Sequence, residues 1–304
     1  MDILTSLFAI LVIILTGTLS RATGLLQAHQ AKTLSSFVYY FGLPALFFGK
    51  IADLDLYSLD PQLVLAILLP TLLVLGLLLL LKQIALLDKD NFVLLSLSIS
   101  FGSYAFFGVA FFETFRGGRW EELSILAASL LGVLGIVSTI LLLEYASRRA
   151  RGWGYVKKIF TNPLILSILL GTAFSLLQIR VDFLAQALNL IGQTASGTAI
   201  FVLGMYIYDH FSFQIFKQSL GYAAFRMLAL PLAALATVRF LLPGVGVFSQ
   251  FILLENGMPA AIALEIFAER YDYKLGETAG IVTLTSLLNF PVLAGLYFLS
   301  RLWV

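Results

Sequence analysis

The sequence predicts an all-α membrane protein with ten transmembrane helices, arranged as two inverted five-helix repeats whose crossover helices 4 and 9 are broken. Three observations support this fold class. The chain is 60% hydrophobic and only 12% charged, with a mean hydropathy of +0.97, whereas soluble domains carry about 25% charged residues. Apolar runs near the roughly 20 residues that span a bilayer recur along the chain. A polar cluster interrupts one of these runs.

The predicted spans are separated by short loops, and several begin with capping residues. Asp60 and Asn162 each precede a proline at the first helical position, and Asp90 offers a further cap. The N-terminal run lacks the basic region of a signal peptide and is therefore interpreted as the first span. The ten predicted spans are 3–20, 33–51, 62–81, 92–112, 123–143, 163–179, 184–208, 219–241, 247–268 and 277–299.

The distribution of basic residues predicts the orientation. Of the 19 Lys and Arg residues, twelve lie in one set of alternate loops, six lie in the other, and Arg226 lies inside a span. Positive charge favours the cytoplasmic side, so both termini are expected outside a plasma (inner) membrane. The most basic loop, 146–161, also separates the two predicted five-helix repeats, 1–145 and 162–304.

Weak sequence similarity between the two halves indicates an internal repeat at a constant offset of 154 residues. Five spans per half is an odd number, so the second repeat must be inverted relative to the first, as in many secondary transporters. The matching pairs are Ile14–Thr18 with Ile168–Thr172, Ala45–Phe48 with Ala199–Val202, and Phe101–Ala105 with Glu255–Pro259.

The ninth span carries the interrupting cluster Glu255, Asn256, Gly257 and Pro259. Proline removes a backbone donor, and glycine is a poor helix former. Broken backbone at membrane depth is tolerated only where it is buried in protein or lines a watery cavity. The cluster therefore predicts a substrate site, with Asn256, Gly257 and Pro259 in contact with the substrate.

The fourth span is the expected partner of the ninth, and it is rich in small and hydroxylated residues. Ser103 and Tyr104 fall opposite the Asn256 break and are predicted to bind substrate. Close packing through small residues explains Ser96 and Ser98 equally well.

Two ionisable residues lie deep in spans, where charges are costly and usually functional. Glu255 is a candidate proton-coupling group, or else one half of a structural ion pair. Arg226 is a second coupling or ion candidate, which could snorkel, pair with Glu255 or Glu265, or hold a carboxylate substrate. In the polar seventh span, Thr198 aligns with Pro44 of the second span, and both are candidate substrate contacts.

Three segments of the chain resemble the auxin efflux carrier family, which includes plant PIN proteins and many bacterial carriers. They are Gly42–Phe48, Asn162–Gly171, and Met258–Ile262 with the following Ala268–Tyr271. The resemblance implies an architecture related to bile acid–sodium symporters. It also implies a scaffold of helices 1, 2, 6 and 7, and a transport domain of helices 3–5 and 8–10.

The chain departs from the family pattern in the fourth span. Family members usually carry Asn and a helix-breaking Pro where this chain has Ser103 and Ala110. The proline usual in the seventh span is also missing. The break in the fourth span is therefore expected to be the milder of the two.

These features predict a secondary carrier of small organic anions that works by alternating access in an elevator-like manner. The partners expected are a small organic acid and membrane lipid, with a homodimer left open and no nucleic acid, because the basic residues form no patch with interleaved aromatics. No cofactor, metal site or catalytic residue is expected; coupling to protons is favoured over sodium. The alternatives are an uncoupled facilitator, a channel-like protein or a sensory protein on the same fold. An enzyme is disfavoured because no catalytic motif lies in the spans.

Overall fold

The computed structural model describes residues 3–53, 60–147, 161–179, 182–210 and 212–301. Apart from an isolated β-bridge between Gly102 and Ala260, this part of the chain contains helices and no strand. Six of its helices are long and apolar enough to cross a membrane. The predicted all-helical membrane class is therefore confirmed. Most of the basic 146–161 loop lies outside the described residues.

The helices are numbered here in chain order, and a 3-10 turn, Pro243–Phe248, precedes α10. They are α1 (Ile3–Ala22), α2 (Ala28–Ala52), α3 (Pro61–Gln83), α4 (Lys89–Ser100), α5 (Tyr104–Phe115), α6 (Arg119–Ser147), α7 (Pro163–Leu176), α8 (Asp182–His210), α9 (Phe213–Leu241), α10 (Ser249–Glu255), α11 (Ala263–Tyr271) and α12 (Leu275–Arg301).

The chain divides into two compact units. Unit 1 comprises Met1–Leu59, Ala105–Ser129 and Val156–Asp209, and unit 2 comprises Asp60–Tyr104, Leu130–Tyr155 and His210–Val304. Unit 1 therefore contains α1, α2, α7 and α8, together with most of α5 and the first part of α6. Unit 2 contains α3, α4, the end of α6, and α9 to α12.

Three helices begin at capping side chains that accept hydrogen bonds from the first turn. Asp60 accepts from the backbone N–H of Gln62 at 2.8 Å, and Asn162 accepts from Leu164 at 3.0 Å, which confirms two predicted caps. The third cap is Asp88 and not Asp90, because Asp88 accepts from the backbone N–H of Asn91 at 2.7 Å. That bond holds the pKa of Asp88 below its ordinary value.

In unit 1, neighbouring helices pack closely against each other at glycine residues. The hydroxyl of Thr18 on α1 donates to the carbonyl of Gly204 on α8 at 2.9 Å. On α7, a Cβ at Gly171 would lie 3.2 Å from the carbonyl oxygen of Phe48 on α2. Small residues allow this contact between helix backbones in membranes, where packing replaces the hydrophobic effect between helices.

We expect Gly204→Ala to destabilise the protein by about 1–3 kcal/mol, because its Cβ would overlap the carbonyl oxygen of Ile14. Gly197→Ala on the same helix is the matched control, since a Cβ there has nothing within 4 Å and alanine is the better helix former. Thermal unfolding in detergent followed by size-exclusion chromatography measures both changes. Equal unfolding temperatures for the two variants would contradict the proposed packing of α1 on α8.

In unit 2, α9 and α12 run side by side in the same direction. Near their beginnings, the Ser219 hydroxyl donates to the carbonyl of Glu277 at 3.0 Å, and Gly280 leaves no room for a Cβ beside Ser219. Near their ends, Arg239 of α9 and Ser300 of α12 line the same cleft. This pair of helices supports the residues described next.

Candidate functional site

Two helix interruptions meet inside unit 2. The first interruption separates α4, which ends at Ser100, from α5, which begins at Tyr104. The second separates α10, which ends at Glu255, from α11, which begins at Ala263. The first break is three residues long and the second is seven. We call the two interrupted segments, 101–103 and 256–262, the crossover.

The two breaks supply hydrogen-bond partners for each other. The backbone N–H of Ser103 donates to the carbonyl of Pro259 at 2.8 Å, and the N–H of Ala261 donates to the carbonyl of Phe101 at 2.9 Å. These two bonds make the antiparallel bridge between Gly102 and Ala260. Backbone groups released by breaking a helix in a membrane must find such partners.

Local chemistry explains the longer break. Pro259 has no N–H to donate and disfavours the helical conformation of the residue before it. Gly257 packs against α12, where a Cβ would lie 2.7 Å from Leu296 and 3.0 Å from Leu293. Proline and glycine within three residues therefore end α10, as the sequence predicts.

The shorter break depends on a tertiary contact. A Cβ at Gly102 would overlap both the ring of Tyr104 and the guanidinium of Arg226. Only glycine fits at this point, and the chain there pairs with the second break instead of continuing the helix. Tyr104 begins the following helix with a π-helical turn, Tyr104–Gly108.

Arg226, on α9, is 0% exposed and binds both breaks. Its Nη1 donates to the carbonyls of Ser98 and, at 3.2 Å, Ile99; these carbonyls lie in the last turn of α4. Its Nε and Nη2 donate to the carbonyl of Met258 at 3.2 and 3.1 Å, and Nη2 also donates to Pro259 at 3.2 Å.

The guanidinium group has five N–H donors and makes five hydrogen bonds to these four carbonyls. Carbonyl groups at the end of a helix carry partial negative charge, so a cation is well placed among them. The sequence left open an ion pair between Arg226 and Glu255. Within the described residues, Arg226 makes no such ion pair. The side chain of Glu265 lies outside the described residues.

Two residues of α12 support the crossover, and sequence reasoning did not identify them. The Thr285 hydroxyl accepts from the backbone N–H of Ala260 at 3.0 Å, and the Asn289 side chain donates to the carbonyl of Gly257 at 2.8 Å. The two residues are one helical turn apart on α12, but that helix carries other buried hydroxyl residues, Ser286 among them. Their spacing therefore does not distinguish them in the sequence.

Several buried polar atoms at the predicted site have no hydrogen-bond partner among the residues that the structure describes. Both carboxyl oxygens of Glu255 and the side-chain oxygen of Asn256 accept no hydrogen bond within the described part of the chain, although both residues are 1% exposed. The side-chain oxygen of Asn289 and the hydroxyls of Ser96 and Ser100 are also buried without a hydrogen-bond partner among the described residues. Buried polar groups are normally paired, so exceptions call for a functional explanation.

The predicted site residues fall into two groups. Unit 2 brings together Ser103, Tyr104, Glu255, Asn256, Gly257, Pro259 and Arg226, and all seven are buried. Pro44 on α2 and Thr198 on α8 belong to unit 1 and are half-buried.

The two unit 1 candidates lie close to a contact between their helices. A Cβ at Gly42 would lie 3.1 Å from the Cβ of Ala195, so α2 approaches α8 within one turn of both Pro44 and Thr198. A π-helical turn, Val38–Gly42, precedes Pro44 because the proline cannot donate to the turn before it.

Comparison with known proteins agrees with the membrane fold. The model of the family described as membrane transport protein matches residues 2–152 and 154–297, including both breaks of the crossover. No curated protein matches the chain. Members of the family are transporters and not enzymes. The resemblance to auxin efflux carriers is confirmed, and the chain belongs to the membrane transport protein family that contains them.

Proposed function

We propose that the protein is a secondary carrier that moves a small organic anion across the plasma membrane by alternating access. The observation that carries this proposal is the crossover. Unwound backbone and the side-chain oxygens of Glu255 and Asn256, which accept no hydrogen bond within the described residues, lie buried in the same unit. In transporters built from inverted repeats, discontinuous helices of this kind form the substrate site.

The proposed topology has ten spans in two inverted repeats, with α4 and α5 counted as one span and α10 and α11 as another. Unit 1 holds α1, α2, α7 and α8, and we assign these helices to a scaffold. Unit 2 holds α3, α4 and α9 to α12, and we assign it to an elevator-like transport domain. Both termini are proposed to lie outside and the 146–161 loop in the cytoplasm.

The crossover suits a carboxylate substrate for an electrostatic reason. The helices α5 and α11 both begin there, and the first-turn N–H groups of a helix have no partner within that helix. Together with the positive end of the helix dipole, they favour anions. Ser103 and Asn256 are proposed to add hydrogen bonds. Arg226 donates five hydrogen bonds to backbone carbonyls. We therefore assign it to holding the crossover and not to binding the acid.

We further propose that Glu255 carries the coupling proton. A carboxylate without a partner is costly to bury in its ionised form, so the conformation described here favours the protonated acid. Opening the site to water would remove this cost and release the proton. Concentrative uptake driven by a proton gradient would distinguish this carrier from an uncoupled facilitator, and the absence of unitary currents would distinguish it from a channel.

We expect an organic acid that binds at the crossover to raise the unfolding temperature of the wild-type protein but not of Asn256→Ala. The measurement is a thermal-shift screen of purified protein against a panel of small mono- and dicarboxylic acids. At 100 times its Kd, a ligand stabilises by about 2.7 kcal/mol. Asn189→Ala is the matched control, because Asn189 is exposed on α8. An acid that stabilises all three proteins equally would argue against this site.

A further inference from the structure

A cleft of about 180 Å³ lies at one end of unit 2. It is bounded by the ends of α9 and α12 and by the beginning of α10. Its walls are mainly apolar, with Leu235 and Leu299 among them, and Arg239 and Gln250 supply polar groups. None of the residues that line it is among the candidate site residues.

Helix length places this cleft at the membrane surface. The helices α9 and α12 contain 29 and 27 residues, which at 1.5 Å per residue gives about 40 Å each. The hydrocarbon core is about 30 Å thick, so the shared end of the two helices reaches the interface. Phe240 and Phe298, beside the cleft, are 79% and 53% exposed, as expected for side chains that face lipid.

The chemistry of the lining is complementary to an anionic amphiphile. Among the described residues that line it, Arg239 is the one charged side chain and none carries a carboxylate. Gln250 is held by a hydrogen bond from its Nε2 to the hydroxyl of Ser300 at 2.8 Å. Arginine matches phosphate through its planar set of donors, and the leucine walls match an acyl chain.

We infer that this cleft binds an anionic phospholipid, with the phosphate at Arg239 and one acyl chain along Leu235 and Leu299. Leu253, which lines the cleft, lies two residues before Glu255 on α10. The lipid would therefore contact the half-helix that carries the proposed coupling residue. Binding itself does not depend on the proposed transport activity.

Native mass spectrometry of the purified protein tests the inference. With phosphatidylglycerol and phosphatidylcholine offered in equal amounts, we expect the wild-type protein to retain phosphatidylglycerol preferentially. We expect Arg239→Gln to retain about five-fold less of it, because one basic contact at a membrane surface contributes about that factor. Arg301→Gln is the matched control. Arg301 lies at the end of α12, as Arg239 lies near the end of α9, but Arg301 stacks on Tyr297 and is not among the residues that line the cleft.

A further variant and a competition with inorganic phosphate distinguish a lipid site from a site for free anions. Leu299→Trp narrows the cleft without changing charge, and we expect it to lower phosphatidylglycerol retention as well. Equal retention of the two lipids by the wild-type protein, or equal losses in Arg239→Gln and Arg301→Gln, would overturn the inference. Displacement of the lipid by millimolar inorganic phosphate would identify a free-anion site and overturn it too. Because the readout is lipid mass, it stands whether or not the protein transports any organic acid.

Discussion

Replacing Arg226 by methionine is expected to destabilise the protein strongly. The side chain makes five hydrogen bonds to four buried carbonyls. Methionine fills similar space but donates none of these bonds, and the carbonyl of Pro259 keeps only the bond from the backbone N–H of Ser103. Leaving a buried acceptor unsatisfied costs about 1–3 kcal/mol, and several acceptors are affected, so we expect the unfolding temperature to fall by about 10 °C.

Two comparisons make this result specific. Arg301→Met removes an exposed arginine and is expected to leave the unfolding temperature within about 1 °C of wild type. Arg226→Lys keeps the charge but has only three donors on one nitrogen, so it should fall between the wild-type protein and Arg226→Met. If Arg226→Met unfolds at the wild-type temperature, Arg226 does not hold the crossover.

Replacing Glu255 by glutamine is expected to preserve the fold and to abolish proton-driven transport. Glutamine matches glutamate in size and cannot exchange a proton, and no hydrogen bond to the Glu255 carboxyl is lost among the described residues. In proteoliposomes, an inward proton gradient of one pH unit can raise the internal concentration of the substrate about ten-fold over the external one, if one proton is carried with each substrate. We expect wild-type protein to respond to the gradient and Glu255→Gln to show no response.

Glu122→Gln is the matched control for this experiment, because Glu122 is exposed at the beginning of α6. It should respond to the gradient as the wild-type protein does. A Glu255→Gln protein that is still accelerated by the gradient would contradict the coupling role. A Glu255→Gln protein that binds the acid but does not respond to the gradient would separate substrate binding from coupling.

The break between α10 and α11 could be predicted from the sequence because its causes are local. Pro259 and Gly257 oppose a helix in any surroundings. The break between α4 and α5 is different, since the usual proline is replaced by Ala110. The sequence predicts a milder break here, and at three residues against seven it is the shorter one. Its position depends on the space around Gly102, which is a property of the folded unit.

The partners of Arg226 could not be predicted, for a related reason. A sequence shows which residues carry formal charge, so Glu255 and Glu265 were the natural candidates. The actual partners are carbonyl groups that become available only because two helices stop at this point. The same limitation hid Thr285, whose hydroxyl serves the backbone of Ala260. Backbone groups have no signature in the side-chain sequence.

The pairing of the two breaks has a consequence for biosynthesis. The N–H of Ser103 and the carbonyl of Phe101 find their partners, Pro259 and Ala261, in the second half of the chain. Until that half has been synthesised, these two backbone groups beside Gly102 lack the hydrogen-bond partners that they have in the folded protein. We therefore expect the first half, α1 to α6, to stay incompletely folded until the second half has been made, and the halves of a chain cut in the 146–161 loop to fold fully only when they are produced together.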